Sequence, residues 1–470
     1  MKMLIGGEWV DKDSKIEVRN PFDGSLLDTV PSADASDIDR TVQAACRGLK
    51  IMRDLPRHRR SGILRKTADL IHERSEDFAR TLAMEVGKTI REARIEVGRA
   101  AMIFQIASEE ANRIHGETLP LDAIPGAENK IGYYDRVPVG IIGAITPFNL
   151  PMSLASHKLA PALAGGNSIV LKPASATPLA DLKLGEVLLE AELPPEALSV
   201  VTGSGAEVGD VLVAHPRVRM LSFTGSREVG LGIGAQAGFK KLTLELGGNA
   251  AVIVCATADL DDAAGLISRG GFSLAGQICI SVQRALVFKE VHDRFVEKLV
   301  EGVRKLKVGN QLEEDTDLGP MINVNAAKKT KEWVDEAVAA GGRLLTGGTH
   351  EGALFQPTVI DNPPTSVRAS AEEIFAPVVV VHEVESLDQA INIANDSAYG
   401  LQAGIFTADM REAFEAIRRL DVGGITVNEV PTYRSDLAPY GGMKQSGLGR
   451  EGVKFAIEEM TEPKAVVFRL

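Results

Sequence analysis

The segment Gly276-Gln277-Ile278-Cys279 sets a thiol just after a glycine, and upstream Leu244-Glu245-Leu246-Gly247-Gly248 sets a carboxylate just before a glycine pair. A thiol close to a carboxylate can be activated as a nucleophile, and the same carboxylate can later take a proton from water. Spacing alone does not bring the two together, and a cysteine in a glycine-flanked segment also serves as plain packing. Two glycine-rich turns offer a second kind of chemistry. Gly203-Ser-Gly205-Ala-Glu-Val-Gly209 and Gly225-Ser226-Arg-Glu-Val-Gly230 each follow a strand-like run and open a helical one. A helix N-terminus presents free backbone N–H groups and partial positive charge, which suits a pyrophosphate. Neither spells G-x-G-x-x-G, and each also reads as a strand-to-helix turn with no ligand.

The elements that must position these residues follow from pattern. A chain of 470 residues, 44% hydrophobic, is long enough for two to four domains with their own cores. Its net charge of −12 argues against a general nucleic-acid or anionic-membrane binder. Only three cysteines are present, too few for a disulfide framework and consistent with a reducing, cytoplasmic setting. Cys46 falls in a helical pattern and Cys255 in the apolar run Ala250–Cys255, and both read as packing. No targeting or membrane segment is expected: Met1–Val10 reads as a hairpin, and the apolar stretch Val137–Ala155 is broken by Pro147, Asn149 and Pro151. Ser36 followed by Asp39 resembles a helix cap, and Arg57–Glu117 is helical throughout. Leu119–Val139 reads as an exposed β excursion. From Val139, strand-like runs at Val139–Thr146, Ser168–Lys172, Leu198–Thr202, Met220–Phe223 and Lys241–Leu246 alternate with helical patterns. A second alternating set runs from Ala250 to Val427. Such alternation predicts parallel sheets with crossover helices, in two α/β units with a cleft between them.

Seven ordered blocks give the chain a resemblance over almost its whole length. They are Thr146-Pro-Phe-Asn149, Lys172-Pro-Ala-Ser175, Phe223-Thr-Gly-Ser226, Leu244-Glu-Leu-Gly-Gly248, Gly276-Gln-Ile-Cys279, Glu373-Ile-Phe-Ala-Pro377 and Pro439-Tyr-Gly-Gly-Met-Lys-Gln-Ser-Gly447. In this order they resemble the aldehyde dehydrogenase superfamily, nearest its lactaldehyde and non-phosphorylating glyceraldehyde-3-phosphate dehydrogenase-like members. The resemblance implies an α/β fold. Residues 1–117 and 138–247 would form a doubly wound parallel-sheet cofactor domain, and 248–447 an α/β catalytic domain. Residues 118–137 and 448–470 would form a small β oligomerisation arm of a homodimer or homotetramer. It also implies roles. Cys279 is the expected nucleophile on an aldehyde carbon, Asn149 holds the oxyanion with the Cys279 backbone N–H, and Glu245 activates the water that hydrolyses the thioester. Thr146, Phe148, Lys172, Ser175, Gly225, Ser226, Glu373 and Phe375 are the expected cofactor residues. No metal is expected.

Two departures from the family pattern carry weight. Ser175 stands where many NAD-preferring relatives carry a glutamate that would repel a 2′-phosphate, so with Lys172 it favours NADP over NAD, its hydroxyl donating to phosphate. Phe148 replaces a frequent tryptophan and should alter pocket shape. Arg434 is placed by the resemblance near the substrate mouth, either pairing an anionic group on the aldehyde or bridging loops or subunits. Ile278, where users of phosphorylated substrates often carry arginine, points away from a phosphorylated aldehyde. The expected reaction is NAD(P)-dependent oxidation of a short hydroxyaldehyde or semialdehyde, such as lactaldehyde, glyceraldehyde or succinate semialdehyde, to the acid. The alternatives are a CoA-acylating relative and a catalytically inert binding protein. His157, on the helix after the Asn149 loop, reads as packing.

Overall fold

Five apolar strands, buried almost throughout, cannot each face water on one side, so they form a parallel sheet covered on both faces. The computed structural model describes residues 1–470. Its parallel strands run in the spatial order Leu198–Val200, Ser168–Lys172, Ile141–Ile145, Val218–Thr224, Lys241–Glu245. The chain winds outward one way from Ile141–Ile145, then crosses back to Val218–Thr224. The strand order therefore reverses between these two neighbours, and a crevice opens beyond their carboxyl ends. The hairpin Met3–Ile5 and Glu8–Val10 closes one edge, and Gly447–Leu448 pairs antiparallel with Lys241–Glu245 at the other.

A second sheet of seven strands, parallel except at one edge, centres on Ala251–Val254, Arg284–Phe288 and Val378–Val384. It buries its own apolar core, separate from that of the first sheet. Its strands present their leading ends to the first sheet's trailing ends. Gly247–Gly248 precede Ala251–Val254, Cys279 precedes Arg284–Phe288, and Glu373–Phe375 precede Val378–Val384. Thr146–Asn149, Ala174 and Gly225–Ser226 follow strands of the first sheet, and Glu245 ends one. The facing ends enclose a cavity of about 750 Å³. No helix is long and apolar enough to cross a membrane.

A third, antiparallel sheet joins Glu117–Leu119, Lys130–Pro138 and Thr461–Arg469, the last two in register from Thr461↔Pro138 to Arg469↔Lys130. The segment 448–470 does not go wholly to this arm. The helix Val453–Glu459 buries Val453 and Ile457 in the first core, because its apolar face packs on the helices Ile90–Arg113 and Pro151–Ala164. Three local readings also change. The helix Ala35–Asp54 is capped by Asp34, not Ser36: the Asp34 carboxylate accepts from the Ser36 and Asp37 N–H groups, and Asp37 answers from three residues on. A second hairpin, Lys15–Arg19 with Leu26–Pro31, extends the β start. The turn after Gly203 opens as a wide π-type turn over Gly205–Gly209 before the short helix Asp210–Ala214.

Candidate active site

Cys279 sits at the end of a turn that few sequences could adopt. Leu274, Ala275 and Gly276 are consecutive left-handed residues (φ 52°, 51° and 68°). A Cβ on Gly276 would lie 2.0 Å from the Ala376 carbonyl oxygen, so only glycine allows this close approach. Gln277 is the buried bracket of the turn. Its side-chain amide donates to Leu274 O (3.1 Å), its side-chain oxygen accepts from Ile322 N (2.9 Å), and its backbone carbonyl accepts from Asn149 Nδ2 (2.8 Å). The Cys279 thiol that follows is half-buried and lies 3.2 Å from the Tyr440 hydroxyl. Burial pushes it up to about 12; the Tyr440 hydrogen bond and Arg434 pull the other way, and Glu373 and Glu245 add to the rise.

Asn149 is held from both sides. Lys88 Nζ donates to its backbone carbonyl (2.8 Å), and Lys88 is itself ion-paired with buried Glu96, which also accepts from Ser153 N (3.1 Å). One amide proton of Asn149 goes to the Gln277 carbonyl; turning the amide over would set two oxygens against each other, so the N–H orientation is fixed. The second proton has no acceptor within the protein.

Glu245 ends the strand Lys241–Glu245, pinned by Thr224 on one side and Gly447 on the other. It is buried, and neither carboxyl oxygen has a hydrogen-bond partner. Burial first, then the Glu451 charge, lift its pKa well above the carboxylate range, against Arg434, Lys158 and Arg450. A carboxyl with no hydrogen-bond partner is free to meet water. Cys279, Asn149 and Glu245 line the same cavity, so the three residues that sequence spacing left apart are brought together.

The expected cofactor residues divide into two groups. Thr146, Phe148, Gly225, Ser226, Glu373 and Phe375 line the cavity. Ser226 caps the helix Arg227–Gln236, whose first-turn N–H groups face no intrahelical acceptor. Gly225 donates its own N–H to Glu245 O (3.0 Å) and lacks room for a Cβ, which would lie 2.4 Å from the Phe223 ring. Phe375, left-handed at φ 51°, meets Phe148 edge-on at 5.9 Å. Glu373 accepts from Gly248 N (2.9 Å), and burial pushes its carboxyl up to about 7.

Lys172 and Ser175 lie off that lining, either side of Ala174, which is on it. Lys172 is buried without a counter-ion, its ammonium donating only to Pro173 O (3.1 Å), and burial pulls it down to about 8. A buried cation with no anion to pair it fits a phosphate-bearing dinucleotide. The expected donation from Ser175 to phosphate is corrected: its hydroxyl is spent on the Gly203 carbonyl (2.9 Å). What remains of the NADP argument is the missing carboxylate.

Arg434 is not a free arginine at a mouth. It is buried, donates to Glu451 (2.9 Å) and stacks 3.6 Å from the Tyr440 ring centroid, while still lining the cavity. Around it stands a network that sequence reading missed. Lys158 Nζ reaches Glu451 (3.0 Å) and Ser222 (3.1 Å), and Arg99 grips Asp436 with Nε and Nη2 (3.1 and 2.6 Å). His157 faces Asp436 at 3.0 Å and is buried, which pulls its pKa down to about 4. Lys158 carried a signal: it is a cation in the run Leu154-Ala-Ser-His-Lys-Leu-Ala, on a helix buried along its whole length.

Comparison with known proteins agrees with this geometry. Residues 9–466 match the aldehyde dehydrogenase family. The 3-sulfolactaldehyde dehydrogenase of Priestia megaterium is 47% identical over 468 residues, covering 100% of this chain and 98% of that one. Among solved structures, aldehyde dehydrogenase 21 of Physcomitrella patens in complex with its reaction product succinate superimposes with a TM-score of 0.97 at 42% identity, covering 100% of this chain and 98% of its own. The NADP-dependent glyceraldehyde-3-phosphate dehydrogenase of Bacillus halodurans, complexed with NADP, gives 0.98 at 37% identity, covering 100% and 99%. With the match spanning nearly every residue and the fold shared end to end, the chain belongs to the aldehyde dehydrogenase family.

Proposed function

We propose that this NAD(P)-dependent aldehyde dehydrogenase oxidises a short aldehyde carrying an anionic group, with Cys279 as nucleophile, Asn149 as oxyanion donor and Glu245 as base. The observation that carries this reading is one cavity lined by a half-buried thiol, an amide N–H with no other acceptor, and a carboxyl with no hydrogen bond. The Cys279 sulfur adds to the aldehyde carbon as its proton leaves, and the carbonyl oxygen becomes an oxyanion held by Asn149 Nδ2. Bound NAD(P) supplies the hydride acceptor that leaves a thioester on Cys279. Glu245 then takes a proton from water as its oxygen attacks the thioester carbon, the C–S bond breaks, and acid and thiolate separate.

Asn149→Ala removes one oxyanion donor and is expected to lower kcat by roughly 10²–10³-fold with KM changed far less. An equal loss confined to KM would mean the amide binds ground-state substrate instead.

The anionic preference follows from charge. At the Arg434 end of the site Arg99, Arg434 and Lys158 are ion-paired with two carboxylates, Asp436 and Glu451, with Glu245 also nearby, while burial pulls His157 toward its neutral form. Arg99, a quarter exposed, is the cation within reach of a substrate tail. The sulfonate-bearing substrate of one relative and the succinate bound to another fit such an end. Assaying lactaldehyde, sulfolactaldehyde and succinate semialdehyde with NAD and NADP, and separating free acid from acyl-CoA, tests the proposal. Faster turnover of uncharged aldehydes would remove the anionic preference, and acyl-CoA without free acid would remove Glu245 as the hydrolytic base.

For the cofactor, the doubly wound unit would bind NADP with Lys172 toward the adenosine end and Ser226 at the pyrophosphate. Ser175→Glu would set a carboxylate where a 2′-phosphate is expected. It should raise KM for NADP by about 10–100-fold, a like-charge cost of roughly 1–3 kcal/mol, and leave KM for NAD nearly unchanged. Parallel loss with both cofactors would remove Ser175 from selectivity. The three-stranded arm, with Ile131, Val467 and Phe468 exposed, would assemble the chain as a homodimer or homotetramer. Three free cysteines suit a cytoplasmic setting.

A further inference from the structure

We propose that Tyr440 is a further catalytic residue of this site, its hydroxyl donating to the Cys279 sulfur and stabilising the thiolate form that attacks. The inference rests on Cys279 being the nucleophile. A tyrosine hydroxyl 3.2 Å from a sulfur can act in two opposite ways. It can accept from the thiol and favour the inert form, or donate to the thiolate and favour the reactive one.

The surroundings select the second. The Arg434 guanidinium lies 3.6 Å from the Tyr440 ring centroid. A cation on the ring face weakens the phenol oxygen as an acceptor, strengthens its O–H as a donor, and adds positive charge next to the sulfur. Arg434 is itself held there by the Glu451 carboxylate (2.9 Å). Glu451 and Tyr440 are in turn tied backbone to backbone, Tyr440 N to Glu451 O at 3.0 Å and Glu451 N to Tyr440 O at 2.7 Å. The phenol is thus buried, covered on one face by the cation and fixed along its backbone, so its donor is in place before the reaction begins.

No other side chain hydrogen-bonds to the sulfur. The remaining charged groups that act on it are Glu373 and Glu245, and both oppose the thiolate, as does burial. Arg434 supports it, with Lys158 behind through the shared Glu451 carboxylate. Among these, the Tyr440 hydroxyl is the one donor in contact with the reacting atom. In the step itself, the S–H proton is lost to solvent, the phenol keeps its own proton, and the sulfur lone pair forms the new S–C bond.

The test is the pH dependence of inactivation by iodoacetamide, followed through residual aldehyde oxidation, in the wild type, Tyr440→Phe and Arg434→Met. Tyr440→Phe keeps the ring and the stack. It is expected to move the inflection up by about one pH unit, which slows alkylation about tenfold at any pH below it. Arg434→Met keeps the hydroxyl and should move the inflection the same way by less, so the inference stays testable even if one variant folds poorly. An inflection unmoved in the folded variants, or moved down in Tyr440→Phe, overturns the donor role while leaving Cys279 as nucleophile. If alkylation of the wild type at Cys279 spared activity, both readings would fall. The pH profile separates this role from a structural one, since loosened packing would not raise a thiol's pKa selectively.

Discussion

Cys279→Ser is expected to lower aldehyde oxidation by roughly 10⁴-fold or more, on the scale of removing the nucleophile from other covalent enzymes. The substitution exchanges one atom and leaves the turn intact, since what shapes that turn is Gly276 against Ala376 and the three hydrogen bonds of Gln277. A hydroxyl in the same place is a far weaker acid than a thiol and a poorer nucleophile at neutral pH. Burial already pushes the thiol up to about 12, so the site has nothing to spare for a less acidic group. Binding of NADP, read by nucleotide fluorescence, should survive within about threefold, because the proposed cofactor residues Lys172 and Ser226 make no hydrogen bond to the sulfur. Turnover within tenfold of wild type would exclude Cys279 as the nucleophile.

The same assay separates the three thiols by their surroundings. Cys255 is fully buried beside Glu412, and desolvation drives its thiol far above the usual range. Cys46 sits on the outer helix Ala35–Asp54, with the Arg217 guanidinium 3.3 Å from its sulfur, remote in the fold from the facing strand ends that form the cavity. Alkylation should therefore abolish activity when one residue, Cys279, is modified.

How far this site could be read from the chain depends on how its parts are spelled. Cys279, Asn149 and Glu245 each stand in a short contiguous motif, so ordered blocks were enough to point to them. The strand Ser168–Lys172 is legible to the residue, because a buried parallel strand is a short apolar run bounded by breakers. Tyr440, Glu451, Lys158 and Asp436 were not legible as a unit. Their bonds cross from the helix Pro151–Ala164 to a loop nearly three hundred residues later, and no local pattern encodes that approach. The sequence showed Arg434 without its burial, and Ser175 without the Gly203 carbonyl that takes its proton. The split of segment 448–470 had the same cause. Helix Val453–Glu459 is short, and only its packing on two distant helices decides where it belongs.

Glu245→Gln is expected to leave the first half of the reaction and stop the second. Mixed with aldehyde and NADP, the variant should form about one NADPH per active site in a fast burst, then turn over roughly 10²–10⁴-fold more slowly than wild type. The reason lies in the lone carboxyl. Neither oxygen is hydrogen-bonded, so its replacement breaks no hydrogen bond, and the change falls on proton transfer. Burial and the nearby Glu451 charge hold its pKa well above 4.5, while water attack needs the carboxylate. The sign follows: steady-state oxidation in the wild type should rise with pH as Glu245 gives up its proton and fall on the acid side of that pKa. In Glu245→Gln this acid limb should vanish along with the rate. A thioester on Cys279, trapped by acid quench and seen as added mass on its peptide, would mark the intermediate awaiting water. Steady-state turnover near wild type, or a missing burst with the same overall loss, would move the base elsewhere. If the burst is followed by rapid turnover only when CoA is added, a thiol can replace activated water in releasing the acyl group. The Glu245 carboxylate would then be what commits the native enzyme to the free acid.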